Sequence, residues 1–151
     1  MTLKEQIEAE IKTSMLAKDK DRLRALRSIK SLILLAETEK GARAAISRDD
    51  ELKLLTKAAK QRRESAELYA NQGRTDLQSV ELAELVVIEE FLPKQLSEEA
   101  LLEKIKQIIE TTGASGPQDM GKVMAVATKD LAGQAEGKVV SFMVRSLLNK
   151  N

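Results

Sequence analysis

The sequence predicts an all-α protein made of two small, unlike helical domains that are joined by a short linker. Apolar residues recur at spacings of three and four along most of the chain, which is the pattern of amphipathic helices. No segment shows the convincing alternation of apolar and polar residues that indicates a β-strand. Pro93 cannot continue a helix and Ser97 can begin one, so we predict an N-terminal domain of residues 1–93 and a three-helix C-terminal domain of residues 97–151.

Each of the first five predicted helices begins at a side chain that can accept hydrogen bonds from the first backbone N–H groups. These N-caps are Thr2 with Glu5 as a capping box, Asp19 or Asp21, Ser47, Thr75 or Asp76, and Ser97. The first helix is predicted to end near residue 18, and the next four end at Gly41, Gly73, Pro93 and Gly113. We predict a loop over residues 41–46, and we interpret Asp49-Asp50-Glu51 as first-turn charges of a helix rather than a metal cluster.

The C-terminal domain is predicted to close with a helical hairpin. Ser115-Gly116-Pro117 supplies an N-cap and a first-turn proline for the sixth helix, and the seventh begins near residue 137. The triplet Gly-Lys-Val occurs near the start of both arms, at 121–123 and 137–139. Glycine inside a helix costs about 0.5–1 kcal/mol relative to alanine. Two explanations stay open: the glycines admit a neighbouring helix of the same chain, or they admit a bound partner.

The formal net charge of +1 conceals an uneven distribution of charge along the chain. Residues 18–63 contain 14 Lys and Arg against 7 Asp and Glu, whereas residues 64–110 contain 4 against 11. A basic block beside an acidic block can be two solvated faces or the binding surface for a polyanion.

Several function classes are disfavoured by what the sequence lacks. It contains no Cys and no His, so it has neither the usual transition-metal ligands nor the commonest general base. The N-terminus does not follow a signal-peptide pattern, and no apolar run approaches the roughly 20 residues that span a bilayer. We therefore predict a soluble cytoplasmic protein with no metal, no cofactor and no membrane partner.

Two patterns in the sequence resemble a nucleotide-binding motif and a catalytic acid–base pair, but neither is complete. The segment 116–123 matches the phosphate loop G-x-x-x-x-G-K, but Val123 replaces the hydroxyl residue, a helix precedes it and Pro117 lacks an N–H group. The adjacent carboxylates Glu89 and Glu90 point to different sides of a helix, so they do not form an acid–base pair. No serine has a histidine base. We predict no catalytic residues.

Rows of basic side chains are the best candidates for a binding surface. Lys20, Arg24 and Arg27 share one face of the second helix, and Lys53, Lys57 and Lys60 repeat that spacing on the third helix, with Arg62 and Arg63 nearby. If these helices pack antiparallel, the rows can form one basic ridge suited to phosphates. The chain has only three aromatic residues, and we expect Phe91 and Phe142 to lie in or near the cores. Without stacking platforms for unpaired bases, a nucleic-acid partner would be a folded RNA, bound by shape and backbone.

Six segments of the chain together form a recognisable pattern. They are Lys60-Gln61-Arg62-Arg63-Glu64-Ser65, Gly73-Arg74-Thr75-Asp76-Leu77, Glu89-Glu90-Phe91-Leu92-Pro93-Lys94-Gln95-Leu96-Ser97, Thr112-Gly113-Ala114, Asp119-Met120-Gly121-Lys122-Val123-Met124 and Gly137-Lys138-Val139-Val140. In this order they resemble the GatB/YqeY family over nearly the full length of the chain. One departure is Glu136, where the family pattern has Asp as the cap of the last helix.

The resemblance implies two unlike helical domains and kinship with the tail of the B subunit of the tRNA-dependent amidotransferase. That complex amidates Glu or Asp misacylated on tRNA, and its tail module contacts tRNA while the catalytic parts lie elsewhere. The family label, carbon–nitrogen ligase with glutamine as amido-N-donor, is therefore not expected to be an activity of this chain alone. We predict a tRNA-binding or amidotransferase-associated accessory protein; the alternative is a helical protein–protein interaction adaptor. In the tail, Gly121, Lys122, Gly137 and Lys138 are the predicted partner contacts.

Overall fold

The computed structural model describes residues 1–41 and 45–150, and these residues form seven α-helices and no strand. The helices are α1 (Leu3–Leu16), α2 (Lys20–Glu39), α3 (Arg48–Asn71), α4 (Thr75–Glu90), α5 (Glu98–Thr112), α6 (Met120–Asp130) and α7 (Gly137–Asn149). The predicted all-α class is therefore confirmed for the described residues. Of the predicted loop over residues 41–46, residues 42–44 lie outside this description. None of the helices seen here is long and apolar enough to span a bilayer.

Contacts divide the chain into two compact units, Met1–Leu92 and Pro93–Asn151. In the first unit α3 packs along α4, while α2 packs chiefly against α1 and α4. Its core is built from the aliphatic stripes of all four helices. The largest fully buried side chains of this unit are Leu3, Ile7, Leu26, Ile29, Ile33 and Leu55. In the second unit α5, α6 and α7 pack on one another around Ile105, Val123, Val144 and Leu148.

The first three helices begin where the sequence predicts. Thr2 and Glu5 form a capping box, and the Asp19 carboxylate, rather than that of Asp21, accepts the backbone N–H of Arg22. Ser47 forms a second capping box with Asp50 at the start of α3. Local side-chain capping of this kind depends on residues three positions apart, so it is readable from sequence.

The start of α4 differs from the prediction, because neither Thr75 nor Asp76 caps it. Gly73 adopts the left-handed conformation with φ of 70° and ends α3, and the N–H of Arg74 donates to the carbonyl of Tyr69 at 2.8 Å. The chain then turns directly into α4, so Arg74 occupies the cap position without a side-chain cap. Its guanidinium instead pairs with Asp76 at 3.0 Å.

Glu51 fastens the beginning of α1 to α3. Its side chain is buried, and its carboxylate accepts the backbone N–H of Leu3 at 2.7 Å. The first-turn N–H groups of a helix have no partner within the helix, so this carboxylate caps α1 from another helix. The interpretation of Asp49-Asp50-Glu51 as capping charges is thus confirmed for Asp50 on α3, and Glu51 additionally caps α1.

In the second unit, the predicted linker after Pro93 is held in place. The N–H of Leu96 donates to the carbonyl of Gln134 at 2.9 Å, and the side-chain amide of Gln95 donates to the carbonyl of Gly133 at 2.6 Å. Leu96 also packs against the core of the second unit. Residues 93–96 therefore belong structurally to this unit, through contacts with the turn between α6 and α7. Whether the two units fold independently stays a prediction.

The helices of the second unit begin in different ways. Ser97 caps α5 by accepting the N–H of Ala100. Ser115 does not cap the next helix; its own N–H donates to the Asp119 carboxylate at 2.9 Å across a 3-10 turn at Pro117–Asp119. This short turn precedes α6, so proline opens a 3-10 turn instead of the α-helix itself. At α7 the cap position is Glu136, which makes no side-chain capping bond, in line with the poor capping expected of Glu.

Candidate functional site

The acidic helix α4 neutralises part of the basic block within the first unit. Arg22 of α2 pairs with Glu90 at 2.6 Å and with Glu10 at 3.0 Å, and the hydrogen bonds that it donates to these two carboxylates raise its pKa. Arg63 of α3 pairs with Glu89 at 3.2 Å. Glu89 and Glu90 thus reach toward different helices, as predicted for adjacent helical residues. The uneven charge along the sequence is therefore partly an internal pairing of blocks that folding brings together.

Glu84 of α4 pairs with one predicted binding residue on α2 and with one on α3. Its carboxylate lies 3.8 Å from the Arg24 guanidinium of α2 and 3.2 Å from the Arg62 guanidinium of α3. Arg62 also pairs with Glu81 at 3.0 Å. The Arg62, Glu81 and Glu84 side chains are between 12 and 25% exposed, so these pairs are better shielded from water than ordinary surface pairs. Arg24, Arg62 and Arg63 consequently have structural partners in the fold.

The lysine row of α3 faces solvent, unlike the arginines that pair with α4. Lys53, Lys57 and Lys60 are exposed and have no ion pair among the residues that the structure describes. Buried Leu55 and Ala59 each follow a lysine of this row by two positions, and two positions correspond to about 200° around a helix. The row therefore lies opposite the buried stripe and faces solvent. By the same geometry Arg62, two positions after Lys60, lies on the face of α3 that is turned toward the rest of the first unit.

On α2 the predicted row is divided between a paired residue and two unpaired ones. Lys20 and Arg27 are exposed and carry no ion pair within residues 1–41 and 45–150, whereas Arg24 is held by Asp21 and Glu84. Because α2 packs chiefly against α1 and α4, direct antiparallel packing of α2 on α3 is a minor part of the unit. The single continuous ridge thus remains a prediction, while exposed cations are observed on both α2 and α3.

The two Gly-Lys-Val triplets are exposed at their glycine and lysine positions. Gly121, Lys122, Gly137 and Lys138 all face solvent, and a Cβ atom added at either glycine would meet nothing within 4 Å. Within the described part of the second unit, these glycines therefore do not admit a neighbouring helix, and that explanation is wrong for this unit. Val123 is fully buried beside them, so the first triplet begins on the surface and ends in the core. The predicted partner contact at these positions stays open.

Phe142 does not lie in or near a core, contrary to the expectation from sequence. Its side chain is 68% exposed on α7, whereas Phe91 is half-buried and packs against the core of the first unit, as expected. The sequence contains the signal, because Phe142 follows buried Val140 by two positions and so faces the opposite side of the helix.

The polar groups of the second unit include one carboxylate in a strongly structured position. Asp119 accepts the backbone N–H of Ser115, and this hydrogen bond lowers its pKa, with a smaller contribution from the charge of Lys122. A carboxylate held in this way closes a turn and is not tuned toward neutral pH as an acid or base would be. No group of three His, Cys, Asp or Glu among the described residues is arranged to hold a metal ion.

Comparison with known proteins supports the resemblance seen in the sequence. A family model described as Yqey-like protein matches residues 4–148. No curated protein matches the chain. Because the match covers almost the whole sequence and includes both compact units, the chain belongs to the YqeY-like protein family.

Proposed function

We propose that this protein binds tRNA as an accessory protein, associated with tRNA amidation and without a catalytic centre of its own. The observation that carries the proposal is the exposed and unpaired lysine row of α3, Lys53, Lys57 and Lys60. Nearby arginines are committed to carboxylates of α4, whereas this row is directed to solvent. Family membership also supports the proposal of tRNA binding, because the chain resembles a tail module that contacts tRNA.

The physical basis of the proposal is counterion release. Each lysine that neutralises a phosphate displaces a condensed cation, which favours binding and makes the affinity depend on salt. Lys53 and Lys60 are seven residues apart on one helix, which corresponds to about 10 Å along its axis. A row of that length can contact successive phosphates of a folded RNA without reading bases.

The test is a titration of tRNA against the wild-type protein and a Lys53→Glu/Lys57→Glu variant over a range of salt concentrations. We expect the variant to bind more weakly, and the slope of log affinity against log salt to fall by about 0.9 for each duplex phosphate that the variant no longer neutralises. Both lysines are exposed and unpaired, so the melting temperature should change little. Arg24 is unsuitable for this purpose because its substitution by glutamate would leave Glu84 beside another carboxylate.

A charge-matched control is available on α5. Lys104→Glu/Lys106→Glu makes the same change in net charge, but these exposed lysines lie on a helix that also carries four glutamates. The proposal requires the α3 variant to bind clearly more weakly than the α5 variant. Equally weak binding by both variants would show a non-specific effect of net charge, and no tRNA binding by the wild type at low salt would refute the proposal.

We also expect no glutaminase or amide-transfer activity from the isolated protein. The chain has neither Cys nor His, and its clustered carboxylates Glu81, Glu84, Glu89 and Glu90 are held in ion pairs with arginines. The measurement is ammonia release from glutamine by purified protein. Release that a single point substitution abolishes would contradict the absence of a catalytic centre.

A second candidate function is a helical adaptor that docks on another protein. Leu82 and Val86 favour it, because they are 42% and 64% exposed and lie one helical turn apart on α4. Isolated exposed apolar side chains are common, so this pair is weaker support than the lysine row. Crosslinking in cell extract discriminates: a nuclease-resistant protein adduct that Leu82→Ser/Val86→Ser abolishes, with no tRNA binding, would establish the adaptor.

A further inference from the structure

One face of α7 presents an aromatic ring between two cations. Lys138, Phe142 and Arg145 follow one another at i, i+4 and i+7, so they share a narrow stripe along about 10 Å of helix. All three side chains are exposed. Buried Val140 lies two residues after Lys138, and buried Val144 lies two residues after Phe142. The stripe therefore lies opposite the face that packs against α5 and α6.

The charged side chains of α7 itself are both positive. The sequence of α7, GKVVSFMVRSLLN, contains Lys138 and Arg145 and no acidic residue. Neither cation has an ion pair within the described part of the chain. In the first unit, by contrast, several exposed cations are partnered by carboxylates, as Arg48 is by Glu51 and Arg74 by Asp76. An unpaired positive helix face is complementary to a polyanion.

The exposed ring distinguishes this face from the lysine row of α3. A single apolar side chain on a surface needs no explanation by itself. A ring that stands 68% exposed between two exposed cations without an ion pair, however, combines the two elements with which proteins hold unpaired nucleotides. Cations contact the backbone, and the flat face of an aromatic side chain stacks on a base. A protein partner would instead need a wider apolar area, and Val139, at 41% exposure, is the only other exposed large apolar side chain of α7.

We propose that Phe142 stacks on an unpaired base of the bound RNA, while Lys138 and Arg145 contact the phosphates on either side. This inference rests on the proposed tRNA-binding function and adds the part of the RNA that is recognised. The expectation that the chain lacks a stacking platform assumed that Phe142 lies in or near a core, whereas its ring is exposed. The RNA segment that contacts α7 is accordingly a loop or an end whose bases are free, whereas the row of α3 contacts backbone alone.

The experiment compares three substitutions at Phe142 in the full-length protein, with tRNA and with a fully paired RNA duplex of similar length as probes. Phe142→Ala removes the ring, Phe142→Leu keeps an apolar side chain without a ring, and Phe142→Tyr keeps the stacking surface. We expect Ala and Leu to weaken tRNA binding about 5- to 150-fold and Tyr to bind like the wild type. Binding of the duplex should be unchanged in all three variants, since it offers no unpaired base.

The flanking cations supply an independent measurement. Lys138→Gln/Arg145→Gln should lower the salt slope for tRNA by about 1.4, because single-stranded phosphates contribute about 0.7 each. Phe142→Ala should leave that slope unchanged while lowering affinity at every salt concentration. The melting temperature is the folding control, and the high exposure of Phe142 predicts little change in it.

The outcomes separate this inference from the function on which it rests. If the wild type binds tRNA and Phe142→Ala binds equally well, base stacking is refuted and tRNA binding stands. Retained affinity in Phe142→Leu, or an equal weakening of duplex binding, would also overturn stacking. If no variant changes tRNA affinity but a protein crosslink disappears in Phe142→Ala, the face is a protein-docking surface. A wild type that binds no tRNA refutes both proposals.

Discussion

Replacing Gly121 with alanine adds one methyl group to the exposed side of the first turn of α6. The added Cβ atom would meet nothing within 4 Å, so the substitution has no steric cost in the free protein. Alanine is favoured over glycine in a helix interior by up to about 1 kcal/mol, because it loses less backbone entropy on folding. Gly121 is the second residue of α6, where the preference is somewhat weaker. We therefore expect a stabilisation of about 0.5–1 kcal/mol.

The expected change in melting temperature depends on how the chain unfolds. A stabilisation of that size raises the melting temperature by about 2–8 °C if the second unit melts alone as a domain of roughly 60 residues. The rise is only about 1–4 °C if all 151 residues melt in one transition. Calorimetry of Gly121→Ala thus also tests the two-domain prediction, since independent units require one transition to move while the other stays.

The matched control is the reverse substitution on the same helix. Ala125 is exposed four residues further along α6, and Ala125→Gly should destabilise by about 1 kcal/mol. The double variant should return close to the wild type. A destabilisation of about 1–3 kcal/mol in Gly121→Ala would signal overpacking and refute the argument from open space. If a partner's backbone lies against this position, tRNA affinity falls while stability rises, and Lys122→Glu weakens binding as well.

Three further predictions concern stability. Glu51→Ala removes the carboxylate that accepts the N–H of Leu3, and it should lower the free energy of unfolding in urea by about 1.5–3 kcal/mol. Asp49→Ala, on the exposed side of the same turn, is the control and should lower it much less. The Lys40 ammonium, with Ser47, lowers the pKa of Asp50 to about 2, so the stability that this carboxylate contributes is complete above about pH 4 and is lost as the pH falls toward 2. Asp50→Asn should abolish that part of the acid dependence of stability. An unchanged dependence of stability on pH in this variant would contradict the prediction. A fragment of residues 93–151 should be more stable than one of residues 97–151 by about 1–3 kcal/mol, because the shorter fragment lacks the hydrogen bonds from Gln95 and Leu96. Equal stability of the two fragments would show that these bonds contribute nothing.

The features that could be predicted from sequence are those set by residues close together in the chain. The caps at Thr2, Asp19, Ser47 and Ser97 depend on a side chain and a backbone N–H three positions away. Helix class follows from apolar spacing over a few turns. The end of α1 shows the limit of such signals, because Lys18 adopts the left-handed conformation with φ of 57° that usually marks a glycine. Helix α1 ends at Leu16, so the predicted end near residue 18 is slightly too late.

The arrangement of the candidate site could be predicted only in part. Exposure of the α3 lysine row follows from its spacing relative to buried Leu55 and Ala59. The pairing of Arg62 with Glu84 depends on how α3 and α4 pack, which local patterns do not specify. Sequence patterns therefore group Arg62 with the lysines as a binding residue and do not reveal its carboxylate partners. Phe142 differs, since its position off the apolar stripe is visible in the sequence but is outweighed by the usual burial of phenylalanine.

The different uses of arginine and lysine in this fold predict that the proposed tRNA binding and the stability of the fold can be altered separately. Arginine is weakly hydrated and has a planar fork that matches carboxylates, so it suits the half-buried pairs of Arg22 and Arg62 with α4. Lysine is strongly hydrated and remains in solvent at Lys53, Lys57 and Lys60, where phosphates can reach it. Charge reversal in the lysine row should therefore remove the proposed binding surface and leave the ion pairs of the fold intact. Charge reversal at Arg62 instead places three carboxylates together, so any weakening of tRNA binding there would report a damaged fold.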